Sequence, residues 1–124
     1  MVVELIYFDI HGRGFMPRLV LAAAGIDFKD TRLTHPQFVE MKQRNPDLFP
    51  FRQIPVLVTD DLVINQTAAI INWAVRSGDL PKLSVSEASK SDMVAETCKG
   101  IIEDVSSAAN TEMQHIDASK WVNN

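Results

Sequence analysis

The chain opens on a short apolar run, Val2 to Phe8, broken only by Glu4 and rich in β-branched and aromatic residues; it predicts a first strand that stops at Asp9. After the flexible His11-Gly12-Arg13-Gly14, apolar groups recur at 15, 16, 19, 20, 22 and 23, with Pro17 in the first turn and Gly25 as a stop. That spacing predicts a helix. Ile26 to Arg32 then reads as a second strand, and a strand, crossover helix and strand of this size are expected to pair in parallel with a right-handed connection. Thr34, Pro36 and Gln37 form a capping-box signature for a short helix through about Lys42. The following NPDLFPF, with prolines at 46 and 50, reads as loop. Pro55 to Thr59 is a third strand, Asp60-Asp61 a turn, and Leu62 to Asn65 the return strand of a hairpin. A helix from Gln66 to Gly78 follows, which makes the order βαβ-α-ββα.

The stretch SGDLPKLSVS, from Ser77 to Ser86, reads as a linker and divides the chain into units of 1–79 and 80–124. Ser84 and Glu87 offer a second capping box for a main helix over about 87–109. Val94, Cys98, Ile101, Ile102 and Val105 share one face of that helix, so Cys98 reads as packing. Ala108 to Asn124 shows little periodicity and reads as an irregular tail.

Composition narrows the chemistry. At 124 residues, 46% hydrophobic and 23% charged, the chain can bury a real core. Twelve Lys and Arg against sixteen Asp and Glu give a net charge of −4 without any basic stripe, which argues against a nucleic-acid partner. The N-terminal run has no basic lead-in and carries Glu4, so neither a secretory leader nor a membrane span is read there, and the expected location is cytoplasmic. A lone Cys98 excludes an intrachain disulfide and a Cys-x-x-Cys pair, and His11, His35 and His115 lack ligand spacing, so no metal is expected.

Tyr7-Phe8, His11-Gly12-Arg13, PFRQIPVL and INQTAAI occur in this order on a βαβ-α-ββα frame, and over about the first 109 residues the chain resembles a glutathione transferase. Within that family it is most similar to the sigma class, which includes glutathione-dependent prostaglandin D synthases and S-crystallins. The resemblance implies an α/β chain: a thioredoxin-like N-terminal domain with a mixed four-stranded sheet, then the first part of an all-helical C-terminal domain. It implies glutathione as co-substrate, a small hydrophobic electrophile and a homodimer. A cysteine thiol ionises near ~8.5, so attack at neutral pH needs a donor that stabilises the thiolate. The resemblance gives that role to the phenol of Tyr7, with Arg13 supporting the thiolate or bracing the loop. Gln66 and Thr67, where a strand becomes a helix, are implied to hold the γ-glutamyl carboxylate; read from the residues alone, a simple helix cap by Asn65 or Thr67 is the favoured alternative. Lys42 is implied to reach the glycyl carboxylate, and Asp104 to meet the α-amino group across a dimer interface. Gln53, Ile54 and Pro55 are implied to pair with the cysteinyl backbone, through a cis Ile54-Pro55 bond that presents Ile54 as an added strand edge.

The chain also departs from the family pattern. Phe38 stands where this class carries a tryptophan that donates to the glycyl carboxylate, a loss of roughly 1.5–3 kcal/mol for one charge-assisted hydrogen bond. Arg52 replaces the usual glycine before Gln53, which adds strain if that backbone needs positive φ, and the loop from Gln43 to Phe51 is a few residues longer. Only the first helix of the second domain is clear, so the helix over 87–109 is expected to leave apolar surface uncovered: the chain dimerises through it, folds marginally, or is a fragment or truncated product. Three functions follow: a transferase or isomerase acting through Tyr7, a non-catalytic glutathione-binding or S-crystallin-like protein, or a truncated interaction module.

Overall fold

The computed structural model of the chain describes residues 1–115, with side chains through residue 108. Its central strand is β1 (Glu4–Phe8), in which Leu5, Ile6 and Tyr7 are all buried. A run this apolar has no polar face to turn to water, so it needs cover on both sides. One edge pairs in parallel with β2 (Lys29–Leu33), Tyr7 opposite Arg32; the other pairs antiparallel with β3 (Val56–Val58). The short strand β4 (Val63–Asn65) closes a sheet of order β2-β1-β3-β4. This is the mixed, thioredoxin-like sheet that the resemblance implied for the βαβ-α-ββα frame.

Because successive residues of a strand face opposite ways, β1 feeds two cores. Val3 and Leu5 pack with Leu21 of α1 (Phe15–Ala23) and with Ile70 and Ala74 of α3 (Thr67–Ser77). Ile6 packs on the other face with Leu33, Phe49, Val56 and Phe38 of α2 (His35–Arg44). Tyr7, two residues on from Leu5, therefore faces α1.

Local signals set most boundaries. The Thr34 hydroxyl accepts from the Gln37 N–H at 3.3 Å and the Gln37 side chain accepts from the Thr34 N–H at 2.8 Å, which completes the expected capping box of α2. Helix α1 ends in a Schellman motif: Gly25, at φ +66°, donates to Ala22 and Ile26 donates to Leu21. Closing the helix occupies Ile26, so β2 begins at Lys29 and not at Ile26. Two segments expected to be irregular are ordered: Gly12–Gly14 forms a 3-10 turn, as does Pro46–Leu48 after an α2 that runs on to Arg44.

The chain divides into two compact units, Met1–Lys82 and Leu83–Asn124. The second is carried by α4 (Val85–His115), longer at both ends than expected from periodicity. The segment expected to be irregular from Ala108 is thus helical to His115, and the rest of that expectation lies outside the described residues. Val94, Cys98, Ile101, Ile102 and Val105 are all exposed, so Cys98 is not packed as its apolar neighbours suggested. Among the described residues no helix is long and apolar enough to cross a membrane.

The start of α4 carries the second capping box. The Ser84 N–H and hydroxyl both donate to Glu87 Oε2 at 2.8 Å, and the Glu87 N–H donates to Ser84 Oγ at 3.3 Å. The backbone donor first, then the hydroxyl, hold the Glu87 carboxyl below its ordinary pKa. A carboxylate with a lowered folded pKa contributes stability above the unfolded value and loses it as pH falls through the folded one. Hydrogen exchange at the Ala88 amide, which donates to Ser84, is therefore expected to speed up on acidification through that range beyond its intrinsic pH dependence. Glu87→Gln keeps an acceptor without a titrating group and removes that step; the same acid response in both proteins would refute the linkage.

Candidate functional site

The site begins at the end of β1. Tyr7 is 6% exposed, yet its hydroxyl is not an orphan: the backbone N–H of Arg13 donates to it at 3.0 Å. The hydroxyl accepts that bond, and among the described residues nothing accepts its own proton, which leaves the phenol able to donate. A hydroxyl that accepts a hydrogen bond becomes a better donor. The 3-10 turn over Gly12–Gly14 wraps the ring so closely that a Cβ on Gly14 would overlap the ring edge, and one on Gly12 would lie 2.5 Å from the hydroxyl oxygen.

A second support was not foreseen from sequence. Arg18, on α1, sits over the Tyr7 ring with its guanidinium carbon 5.6 Å from the centroid. Its donors are used on two backbone carbonyls and one carboxylate: one to the Phe8 carbonyl at 3.0 Å, one to the Ile10 carbonyl at 2.7 Å, and Nε to the Asp30 carboxylate at 3.0 Å. Arg32 extends the pairing from Asp30 to Asp9, at 2.9 and 2.8 Å, which ties the loop after β1 back onto β2. A lone arginine on a helix carries no sequence signal for such a role; its partners exist only once β1, β2 and α1 are assembled.

Beside this loop lies a small cleft lined by Arg13, Gln53, Ile54, Pro55, Asn65, Gln66 and Thr67. Five residues of the expected set therefore converge with Arg13, and Asn65 joins them as the one the sequence reading missed. The Ile54–Pro55 bond is cis, as the resemblance implied. Among the described residues the N–H and C=O of Ile54 make no hydrogen bond, so the cleft wall carries an unpaired backbone donor and acceptor. Opposite stands the start of α3. Its N-cap, Gln66, has φ +74° and ψ 124°, and no side chain caps the helix. That settles the open alternative of a cap by Asn65 or Thr67 against the cap, and leaves the first N–H groups of α3 free to meet an anion. A non-glycine residue in such a conformation costs of order 1–3 kcal/mol, a strain typical of binding sites.

Within the first unit, Phe38 and Lys42 are not among the residues that line the cleft. Phe38 is buried in the second core, edge-on to Phe8 and Phe49 at 5.6 Å in both cases. The Lys42 ammonium rests over the Phe38 ring, 4.5 Å from its centroid. Phe38 thus supports Lys42 by a cation–π contact, where a tryptophan would have offered a donor. Asp104 is exposed on α4, in the second unit. Among the described residues no group of three His, Cys, Asp or Glu has the arrangement of a metal site.

Residues 3–76 match the family model described as glutathione S-transferase, N-terminal domain. Over 102 residues the chain is 31% identical to glutathione S-transferase 1 of Ascaris suum, a match covering 82% of this chain and 48% of that protein. It is 30% identical over 94 residues to the hematopoietic prostaglandin D synthase of Gallus gallus, covering 76% and 45%. Among solved structures, a monomeric glutathione S-transferase of the hookworm Necator americanus superposes with a TM-score of 0.78 at 25% identity, over 100% of this chain and 60% of that one. The chain spans about half the length of the curated relatives it matches. The expected likeness to prostaglandin D synthases holds.

Two substitutions test the backbone of the site. Gly14→Ala forces a methyl group against the buried Tyr7 ring, and overpacking of this kind is expected to cost about 1–3 kcal/mol in urea unfolding; unaltered stability would mean the turn relaxes freely. Arg52 adopts φ +56°, so the condition on which its added strain depended is met. Since the left-handed region costs a side chain about 1–2 kcal/mol and glycine returns part of this as unfolded-state entropy, Arg52→Gly is expected to raise stability by up to about 1 kcal/mol. A lowered midpoint would show that the Arg52 side chain supplies a compensating contact.

Proposed function

The chain belongs to the glutathione S-transferase family, and from that premise we propose that its cleft binds glutathione and that Tyr7 stabilises the bound thiolate for transfer to an electrophile or for glutathione-dependent isomerisation. One observation carries the reading: the Tyr7 hydroxyl accepts the Arg13 N–H and keeps its proton for a further acceptor, beside a cleft lined by the same Arg13. In the conjugation step the thiol proton leaves to solvent while the phenol donates to the sulfur without accepting that proton. The sulfur lone pair then forms the carbon–sulfur bond as the leaving group departs with its electron pair.

The tripeptide fits the cleft end by end. The γ-glutamyl carboxylate is held by Gln66, Thr67 and the uncapped start of α3, and the cysteinyl backbone pairs with the N–H and C=O of Ile54, flanked by Gln53 and Pro55. Lys42 is the cation for the glycyl carboxylate. Arg13 contributes its backbone N–H to Tyr7 and its side chain to the cleft wall. Asp104 meets the α-amino group of glutathione from a second copy of the chain. The reading puts the chain in the cytoplasm, where glutathione is kept reduced. The electrophile is small and hydrophobic; the relative named prostaglandin D synthase supports an isomerisation as one form of the activity.

A second reading, glutathione binding without turnover as in an S-crystallin, is favoured by Phe38, which is buried and has no donor for the glycyl end. Retention on immobilised glutathione and conjugation to an aryl halide, measured for the chain and for Tyr7→Phe, separate the two. The first reading expects both proteins to be retained, with turnover in Tyr7→Phe lowered about 10- to 100-fold, the worth of one charge-assisted hydrogen bond. Retention without turnover supports the second reading. Absence of retention sinks both, and turnover indifferent to Tyr7→Phe sinks the role of the phenol.

A further inference from the structure

We propose that Asn65 is a positioning residue of the cleft: by holding the carbonyls on both sides of Ile54, it keeps the unpaired backbone of Ile54 presented to the ligand. The inference rests on the reading of the cleft as a glutathione site. Asn65 is the last residue of β4, opposite Val56 in register and adjacent to the strained Gln66 at the start of α3. Only 7% exposed, it donates from Nδ2 to the Gln53 carbonyl at 3.1 Å and to the Pro55 carbonyl at 3.2 Å. Those two bonds use both amide hydrogens and fix the orientation of the group, because the reverse orientation would set Oδ1 against two carbonyl oxygens.

The consequence is a division of labour within one turn. The carbonyls of Gln53 and Pro55 are taken inward by Asn65, while Ile54 between them keeps its N–H and C=O unpaired among the described residues. The same side chain joins the turn that would pair with the cysteinyl backbone to the strand end that leads into the anion-binding helix start. It therefore sets the distance between the two halves of the cleft.

The cost of this arrangement argues that it is more than filling. Asn65 Oδ1 is buried without a partner among the described residues, which is unfavourable for an acceptor. An apolar side chain of similar size would fill the same space with no such orphan. It would also release the two carbonyls, and a turn so released has to be ordered again when the ligand binds.

The test uses Asn65→Leu, which is close in size and removes both donors. Glutathione affinity, KM for glutathione, kcat and the pH dependence of the bound thiolate's ultraviolet absorbance are measured against the unmodified chain. The expected result is a rise of about tenfold in Kd and KM for glutathione, with kcat and the pH profile unchanged. A merely structural role lowers the melting temperature and leaves KM where it was, and equal affinity in the two proteins overturns the assignment of Asn65 alone. Failure of the unmodified chain to bind glutathione overturns the cleft reading with it. If Asn65→Leu does not fold, nitrogen-edited NMR of the unmodified chain decides. The Asn65 side-chain amide is expected to exchange slowly and the Ile54 amide to shift on adding glutathione; an unshifted Ile54 amide or a fast-exchanging Asn65 amide overturns the proposal.

Discussion

A strand paired on both edges and covered on both faces leaves its side chains no freedom of direction, and β1 is such a strand. Alternation sends Leu5 to the face of α1 and α3 and Ile6 to the face of α2. Tyr7 must therefore follow Leu5 toward α1, where it meets the turn that begins that helix. There the hydroxyl needs a partner, since a buried phenol without one would cost roughly 1–3 kcal/mol. The Arg13 N–H supplies it, and the two glycines of the turn allow the backbone to come that near. Reach, donor and burial of the phenol all descend from the register of one strand.

The cleft is built on a different economy. Among the described residues two non-glycine residues have positive φ, Arg52 next to the lining residue Gln53 and Gln66 within the lining, and they stand before and after the hairpin of β3 and β4. Each is a local cost, of order 1–3 kcal/mol, that the surrounding structure sustains. Asn65, at the end of the hairpin, donates to the Gln53 and Pro55 carbonyls that precede it, which joins the two ends of the segment. Packing below the hairpin contributes as well, because Val56 and Leu57 are fully buried on opposite faces of the sheet.

What was legible from sequence follows the range of the interactions. Both capping boxes were readable because a side chain and a backbone N–H three residues apart decide them, and both appear with all their bonds. The order of elements along the chain was readable because apolar runs and the turn residues between them lie close together in sequence; the lateral order β2-β1-β3-β4 appears only in the assembled sheet. Arg18 and Asn65 were not, since their partners lie 8 to 12 residues away in sequence and meet only in the assembled fold. The role of Phe38 was half legible: the missing donor was evident, the cation–π support of Lys42 was not. Helix α4 was read too short because periodicity reports a face turned to a core, and the apolar residues of α4 from Val94 to Val105 are exposed.

Arg13 shows why residue type and position are separate kinds of information. Its cation drew attention in the sequence as a support for a thiolate, yet the bond to Tyr7 comes from its backbone. A backbone donor is present whatever the side chain, with proline the exception, so the contact that orients the phenol belongs to the turn and not to arginine. Among the described residues the Arg13 side chain makes no hydrogen bond or ion pair, and Arg13 lines the cleft. One peptide unit thus belongs to both parts of the site, the group that would act on sulfur and the wall that would hold the tripeptide.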